Sequence, residues 1–139
     1  AGSLPYADRH VAFSDGAPLL LLGSASIEAL NVRLHEQGSD VVTHRRFRPN
    51  VLLAETTAHE EDTWREVVIG SVTIGVGSKC PRCVMTTIDP DTAEGGVEPL
   101  RTLAQYRRDE TGVVFGMNAT HATPGSIRLD DRVTVTALH

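Results

Sequence analysis

The chain is a succession of short runs rich in β-branched and aliphatic residues, most of them closed by a turn signal. Gly70-Ser71 separates Val67–Ile69 from Val72–Val76, and the alternation of Val and Ile with Thr and Gly in the second run predicts a half-buried hairpin strand. The other predicted extended or strand segments are Pro18–Leu22, Asp40–Thr43, Val51–Ala54, Val84–Ile88, Val113–Asn118, Ser126–Leu129 and Arg132–Thr136, with turns at Asp89-Pro90-Asp91, Pro124-Gly125 and Asp130-Asp131. Many short strands predict a mainly β fold.

Two segments carry helical periodicity instead. Ser24-Ala25-Ser26 can cap a helix in which Ile27, Leu30 and Leu34 share one face and which ends near Gly38. A second helix is predicted over Pro99–Arg108, with the proline at its first position. We therefore predict an α+β chain, mainly β, folded as a compact β-barrel with two short helices; a parallel βαβ sheet is the alternative.

The size and composition suit one domain with a core made mostly of aliphatic residues. The chain has 139 residues, of which 40% are hydrophobic and only 4% aromatic. A chain of this length can bury a core without disulfide staples. No apolar run approaches the roughly 20 residues that a membrane-spanning helix needs, so we predict no membrane segment.

The formal net charge of −5 argues against a general nucleic-acid binder, which carries a basic surface. Cations are nevertheless concentrated in His44–Asn50, a segment in which Pro49 disfavours a helix at Arg48. The segment is therefore predicted to be extended or turning. In an extended stretch Arg46 and Arg48 can point the same way and attract an anion. A solvated basic loop is the competing interpretation. The acidic run Glu60-Glu61-Asp62 predicts an exposed loop.

Both cysteines lie in the segment Cys80-Pro81-Arg82-Cys83. Such a pair can supply half of a zinc site, completed by His44, His59 or His121. It can also form a thioredoxin-type couple, although the β-branched run Val84–Ile88 lacks the helix that would activate the thiolate. The remaining alternatives are a single thiolate on a soft or higher-valent metal and two small buried apolar side chains. An arginine between the cysteines weighs against the last.

Several motifs in a fixed order connect this segment to the rest of the chain. They are Arg46-Phe47-Arg48-Pro49-Asn50, Asp62-Thr63-Trp64, Ile69-Gly70, Cys80-Pro81-Arg82-Cys83, Thr86-Thr87-Ile88-Asp89-Pro90-Asp91-Thr92, Glu98-Pro99-Leu100, Phe115-Gly116 and Pro124-Gly125-Ser126-Ile127. From Phe13 to about Val135 this pattern closely resembles the MOSC domain (molybdenum cofactor sulfurase C-terminal domain). The similar branch is that of the amidoxime-reducing components and their bacterial relatives.

The resemblance implies a β-barrel that binds a molybdopterin-type molybdenum cofactor, with Cys83 as the metal ligand and Cys80 as a packing residue. It implies cofactor contacts at Arg48, Asn50, Pro81, Arg82 and Asn118, and a catalytic acidic position near the metal at Asp15. Asn118 departs from the Tyr of some relatives. The residue chemistry agrees, because Arg48 and Arg82 can neutralise anionic oxygens and nearby cations favour a thiolate.

The implied activity is a molybdenum-dependent oxidoreductase that reduces small N-hydroxylated compounds with electrons from a heme or flavin/iron–sulfur protein or domain. Residues 1–139 are then a single MOSC domain, expected to be the C-terminal part of a longer protein whose N-terminal β-domain completes the cofactor site. The alternative is a non-catalytic sulfur- or molybdenum-cofactor-carrier module. The absence of a signal peptide and of a disulfide framework predicts a cytoplasmic location.

Overall fold

The computed structural model describes residues 2–3, 10–13, 18–123 and 125–139. The strands are β1 (Gly2–Ser3), β2 (His10–Phe13), β3 (Pro18–Gly23), β4 (Val51–Leu53), β5 (Trp64–Ile69), β6 (Val72–Pro81), β7 (Arg108–Asp109), β8 (Gly112–His121), β9 (Gly125–Arg128) and β10 (Val133–Leu138). The helices are α1 (Ser24–Glu36) and α2 (Leu100–Tyr106), with 3-10 helices η1 (His44–Arg46), η2 (Glu60–Thr63) and η3 (Val84–Thr87).

Most strands form one sheet in the order β1-β4-β3-β8-β6-β5-β10, with β7 paired to β8, and β2 pairs separately with β9. The sheet curls into a half-barrel, which confirms the predicted mainly β, α+β fold. Among the described pairings β3–β4 is parallel and the rest are antiparallel, because α1 carries the chain back between these two strands. No helix in the described ranges is long and apolar enough to cross a membrane.

Two apolar clusters hold the curled sheet and the helices together. The first lies within the sheet and is mostly aliphatic; it includes Leu21, Val51, Val67, Ile69, Ile74 and Met117, with Trp64. The second joins the sheet to both helices and includes Leu22, Ile27, Leu30, Leu34, Phe47, Leu103 and Phe115. The predicted inner face of α1 is therefore confirmed, and so is the hairpin at Gly70-Ser71, where Ile69 pairs with Val72.

Of the two conformations predicted for the basic segment, extended or turning, the structure shows a turn. The backbone N–H groups of Phe47 and Arg48 both donate to the His44 carbonyl, at 2.9 and 3.1 Å, so the segment coils tightly after Thr43. The physical reason is Phe47, whose side chain is 2% exposed and enters the core. Arg46 and Arg48 are thus not alternate residues of a strand, and the argument that placed them on one face does not hold.

The predicted strand Val84–Ile88 is also wrong, since Val84–Thr87 forms η3. Its two threonines satisfy nearby carbonyls with their own hydroxyl groups: Thr86 Oγ1 donates to Cys83 O at 3.0 Å, and Thr87 Oγ1 donates to Val84 O at 2.6 Å. Threonine hydroxyls compete in this way with sheet hydrogen bonds. The second helix is confirmed with shorter bounds, Leu100–Tyr106, because Arg108 pairs with Val113 in β7.

Two further local predictions change in the tertiary structure. The acidic run is the 3-10 helix η2 rather than an exposed loop, and Glu61 within it is 1% exposed. Asp40–Thr43 belongs to no strand. Instead, the Asn31 side chain takes the place of a neighbouring strand: it accepts from the Val42 N–H and donates to the Val42 carbonyl, both at 2.8 Å.

Candidate functional site

The cysteine segment lies where β6 ends. Pro81 pairs with Val114 of β8, and the Arg82 N–H donates to Val113 O at 2.6 Å. Cys80 is a half-buried free thiol within the strand, and Cys83 is an exposed free thiol with extended backbone angles (φ −129°, ψ −176°). The structure therefore shows two free thiols that differ in exposure.

Between the two thiols, Arg82 ties the cysteine segment to two other parts of the fold. Its Nε donates to Phe115 O at 2.9 Å, and its Nη1 donates to Phe47 O at 3.1 Å. Burial lowers the pKa of Arg82, while the neighbouring Cys80 and Cys83 raise it. The guanidinium stays protonated, because an arginine side chain does not lose its proton in proteins.

The third nitrogen of Arg82, Nη2, is buried and has no hydrogen-bond partner within the described part of the chain. It faces Gly116, where a Cβ atom would come within 3.5 Å of it and within 3.1 Å of the Leu21 carbonyl. Gly116 also has φ +83°, a conformation that glycine adopts readily. The motif Phe115-Gly116 thus provides a carbonyl acceptor and a space next to the cation.

Of the three arginines in the basic segment, two are neutralised by aspartates of the loop after η3. Arg45 Nη1 lies 2.7 Å from Asp91 Oδ1, and Arg46 Nη2 lies 3.6 Å from Asp89 Oδ2. The Asp91 backbone N–H is the main cause that lowers the pKa of Asp89, which keeps this carboxylate charged. Arg48 is exposed and makes no ion pair within the described residues. The predicted anion trap therefore reduces to Arg48.

The backbone at Arg48 is in the left-handed region, with φ 54°. A non-glycine residue adopts this conformation at a cost of about 1 kcal/mol or more, and such outliers concentrate at functional positions. The cost is offset by the burial of the preceding Phe47 ring, whose centroid is 4.7 Å from that of Phe115. The burial of Phe47 thus fixes the backbone position of the neighbouring, exposed Arg48.

Asn50 and Asn118 both neighbour Leu20 of β3. Asn50 Oδ1 accepts from the Leu20 N–H at 2.7 Å, and the Asn50 N–H donates to Leu20 O at 3.0 Å. Leu20 is also the β3 partner of Asn118, which is exposed on β8. Two of the predicted cofactor residues therefore lie on either side of the same strand residue. The predicted catalytic residue Asp15 lies outside the described residues.

The potential metal ligands of the described residues suit a metal that is bound mainly by a cofactor and by a single protein side chain. Within the described ranges no three His, Cys, Asp or Glu side chains are placed to hold a metal ion, so His44, His59 and His121 do not complete a zinc site with the cysteines. A molybdopterin-type cofactor requires one protein thiolate and cationic or polar partners for its anionic and heterocyclic parts. The exposed Cys83, the unpaired Arg48 and the orphaned Nη2 of Arg82 match that requirement.

Behind this face, a buried polar group connects η2 to the start of α1. Glu61 Oε2 accepts from the Gly23 N–H at 2.7 Å and from Ser26 Oγ at 2.9 Å. Burial raises the pKa of Glu61, and the hydrogen bonds from Gly23 and Ser26 partly oppose that effect. The carboxylate stabilises the first turn of α1 from another segment of the chain.

Asp62, the residue after Glu61, is connected to β8 through Arg107. Its carboxylate lies 2.8 Å from Arg107 Nη1, and Arg107 Nε donates to Val114 O at 3.2 Å. Val114 precedes Phe115, whose carbonyl holds Arg82. The acidic run therefore connects the start of α1 and strand β8 through Glu61 and Asp62. This role follows from the contacts of the two side chains in the folded protein.

Comparisons with known proteins identify the family of this chain. A family model described as the MOSC domain matches residues 8–134. The chain belongs to the MOSC family. It is 39% identical over 133 residues to mitochondrial amidoxime-reducing component 1 of Mus musculus, covering 89% of this chain and 38% of the mouse protein.

Other MOSC relatives extend the comparison. The identity is 40% over 136 residues to mitochondrial amidoxime reducing component 2 of Rattus norvegicus, with 89% of this chain and 38% of that protein covered. It is 33% to the molybdenum cofactor sulfurase of Botryotinia fuckeliana, covering 91% of this chain and 18% of the sulfurase. The chain thus spans less than half the length of these curated relatives.

Two solved structures share the fold of this chain at low sequence identity. YiiM from Escherichia coli superimposes with a TM-score of 0.63 and 16% identity, over 98% of this chain and 68% of the YiiM chain. YiiM from Geobacillus stearothermophilus gives a TM-score of 0.61 and 18% identity, over 93% of this chain and 61% of that one.

Some residues that build the site were not singled out from the sequence. Phe47 packs its ring in the core and accepts a hydrogen bond from Arg82 through its carbonyl oxygen. The available sequence signal was a single aromatic residue within a run of arginines, because a phenylalanine ring is stabilised by burial. Asp89 and Asp91 are predicted from the sequence as a turn and as part of the family motif, but their ion pairs with Arg46 and Arg45 are not. Glu61 gave no local signal, because its partners Gly23 and Ser26 are 38 and 35 residues away.

Proposed function

We propose that this MOSC domain binds a molybdopterin-type molybdenum cofactor through the Cys83 thiolate and forms part of an oxidoreductase that reduces N-hydroxylated compounds. The observation that carries the proposal is the exposed Cys83 thiol next to Arg82, with an unpaired Arg48 on the adjoining segment. Family membership and the amidoxime-reducing relatives support the same assignment.

The cofactor supplies two-electron removal of oxygen from a nitrogen–oxygen bond. The chain's own residues bind and orient it. Cys83 contributes a charged sulfur donor, and Arg82 precedes it directly in the chain. Arg48 is free to bind a phosphate oxygen by charge-assisted hydrogen bonds. Asn50 offers its amide Nδ2, because its Oδ1 is engaged by Leu20.

Three further residues complete the proposed set. Pro81 lies two residues before the proposed ligand, and Asn118 on β8 is proposed as a further cofactor contact. Arg82 connects the Phe47 and Phe115 carbonyls, and its Nη2 has no hydrogen-bond partner within the described residues. Asp15 stays a prediction as an acidic group near the metal.

The complete reaction needs partners beyond this chain. We propose an electron-transfer protein or domain carrying heme or flavin and iron–sulfur groups, and an N-terminal β-domain that completes the cofactor site. No nucleic acid takes part in this proposal. The cytoplasm stays a prediction, and relatives at up to 40% identity are named as mitochondrial proteins.

The decisive experiment compares Cys83→Ser with Cys80→Ser. Both proteins are produced in cells that make the cofactor, and molybdenum per chain is measured by elemental analysis. We expect Cys83→Ser to lose molybdenum and Cys80→Ser to retain most of it. Equal loss in both variants would contradict single-thiolate ligation and would point to a dithiol site.

A carrier module is the second candidate, because the exposed Cys83 thiol is equally accessible for a persulfide or for cofactor transfer to a partner. Reduction of a simple amidoxime with a competent electron donor separates the two functions. Molybdenum-replete protein without reductase activity would favour the carrier.

A further inference from the structure

Two neighbouring residues of the basic segment contact the chain on both sides of Cys83. Before Cys83, Arg82 Nη1 donates to the carbonyl oxygen of Phe47 at 3.1 Å. After Cys83, Arg46 Nη1 donates to the carbonyl oxygen of Thr86 at 3.3 Å. These two contacts join positions 35 and 40 residues apart in the sequence, so the fold itself fixes the cysteine segment against the basic segment.

The Thr86 end of this connection is bonded directly to Cys83. The backbone N–H of Thr86 and its hydroxyl group both donate to the Cys83 carbonyl oxygen, at 3.1 and 3.0 Å. Thr86 is buried, so water has little access to compete for these bonds. A displacement of Thr86 therefore moves the backbone of Cys83.

The Arg46 end is fixed by a second partner. The Arg46 side chain is only 18% exposed, and its Nη2 lies 3.6 Å from Asp89 Oδ2. Two backbone N–H groups of the following turn donate to the other oxygen of Asp89, at 2.8 and 3.3 Å, and hold that carboxylate in place. The planar guanidinium thus contacts η3 at Thr86 with one nitrogen and the loop beyond η3 with another, an arrangement that suits arginine.

We propose that Arg46 is a positioning residue for Cys83: by holding Thr86, it sets the place of the Cys83 backbone relative to Arg48, two residues further along the basic segment. This inference rests on the proposed function, in which Cys83 binds molybdenum and Arg48 binds an anionic oxygen of the same cofactor. Binding one molecule through two groups costs less conformational entropy when the separation of those groups is already fixed. Arg46 needs no contact with the cofactor for this role.

The first test needs no cofactor. Arg46→Gln removes the charge and the forked donors, and Arg45→Gln is the control, because it removes the neighbouring arginine from an exposed ion pair with Asp91. Amide hydrogen exchange followed by NMR compares the Thr86 N–H with amides of the core strands β3 and β8. We expect Arg46→Gln to speed the exchange of Thr86 about tenfold relative to these core amides, the scale of one charge-assisted hydrogen bond. Arg45→Gln should leave that ratio unchanged.

Two results of the exchange measurement would overturn the proposal. Equal acceleration of Thr86 and of the core amides would show that Arg46 stabilises the fold as a whole and has no particular effect on the cysteine segment. An unchanged Thr86 amide in Arg46→Gln would show that Arg46 does not hold Thr86, and any effect on cofactor binding would then come from a direct contact.

The second test determines whether Arg46 acts through Thr86. Thr86→Val removes the hydroxyl bond to the Cys83 carbonyl and keeps the shape of the side chain. In cells that make the cofactor, we expect Arg46→Gln to lower the molybdenum retained per folded chain about tenfold, as the loss of a residue that orients a metal ligand does. The double variant should lose less than the product of the two separate losses, because both substitutions weaken the same connection.

Independent effects of the two substitutions, with losses that multiply, would contradict action through Thr86. Arg45→Gln should retain molybdenum, and a loss equal to that of Arg46→Gln would also reject the proposal. Failure of the proposed function appears separately, as equal molybdenum in Cys83→Ser and Cys80→Ser, while the exchange of the Thr86 amide is measured without metal.

Discussion

The Arg82 guanidinium donates to the Phe47 carbonyl oxygen at 3.1 Å, across 35 residues of sequence. Through this contact the segment that carries the cysteines holds the segment that carries Arg48 and Asn50. Because the same side chain also donates to Phe115 O, three motifs meet at one cation. Arg82 therefore works mainly as a positioning residue between parts of the site.

Replacing Arg82 should cost more stability than replacing an exposed arginine. Arg82→Ala removes two charged donors from largely buried carbonyls, and we expect a loss of about 2–4 kcal/mol in the free energy of unfolding. The control is Arg45→Ala, which breaks an exposed ion pair with Asp91 and should cost less than about 1 kcal/mol. Urea denaturation followed by circular dichroism measures both. Equal losses would contradict the positioning role.

Gly116 should tolerate a side chain less well than another glycine with a positive φ. Gly38 has φ +75° and nothing within 4 Å of a Cβ position, so Gly38→Ala reports conformational strain alone, about 1 kcal/mol. Gly116→Ala adds contacts at 3.1 Å with Leu20 Cδ1 and the Leu21 carbonyl, and we expect about 3 kcal/mol. The two thermal unfolding midpoints, compared at one pH, decide whether close packing matters at Gly116.

Substitutions of Asn50 can separate its structural role from cofactor binding. Asn50→Asp keeps an acceptor for the Leu20 N–H but replaces the amide donor by a negative charge. We expect near-normal stability with a lowered molybdenum content. Asn50→Ala leaves the Leu20 N–H without its acceptor and should lose about 1–2 kcal/mol in addition. Normal molybdenum content in Asn50→Asp would show that Nδ2 makes no essential contact with the cofactor.

Glu61 should make stability depend on pH in the direction opposite to most carboxylates. Burial raises its pKa in the folded protein, so the folded state holds the proton more tightly than the unfolded state. The contribution is fully present below the unfolded pKa, near 4.5, and is lost as pH rises through the higher folded pKa.

Glu61→Gln removes this titration and retains an oxygen acceptor for Gly23 and Ser26. We expect the variant to gain stability relative to the native protein as pH rises from about 4.5 towards neutrality, with the difference then levelling off. Measuring the difference cancels the titration of other carboxylates. Urea denaturation at a series of pH values provides the test, and a pH-independent difference would exclude a raised pKa at Glu61.

The elements that the sequence predicted correctly depend on local signals. Ile27, Leu30 and Leu34 recur at the helical period, and Gly70-Ser71 joins two β-branched runs, so α1 and the β5–β6 hairpin follow from neighbours in the chain. The motif around Cys83 also belongs to the sequence, and it led to the MOSC family before any contact was known.

The sequence alone also excluded a stabilising framework of disulfides, because its two cysteines lie within four residues of each other. The remaining features depend on contacts between segments 30 or more residues apart. The basic segment turns because Phe47 packs in the core, and Glu61 is buried against the start of α1. Arg82 donates two hydrogen bonds to the carbonyl oxygens of Phe47 and Phe115. Only the tertiary structure decided these, because a buried polar group is stable only where the folded chain supplies its partner.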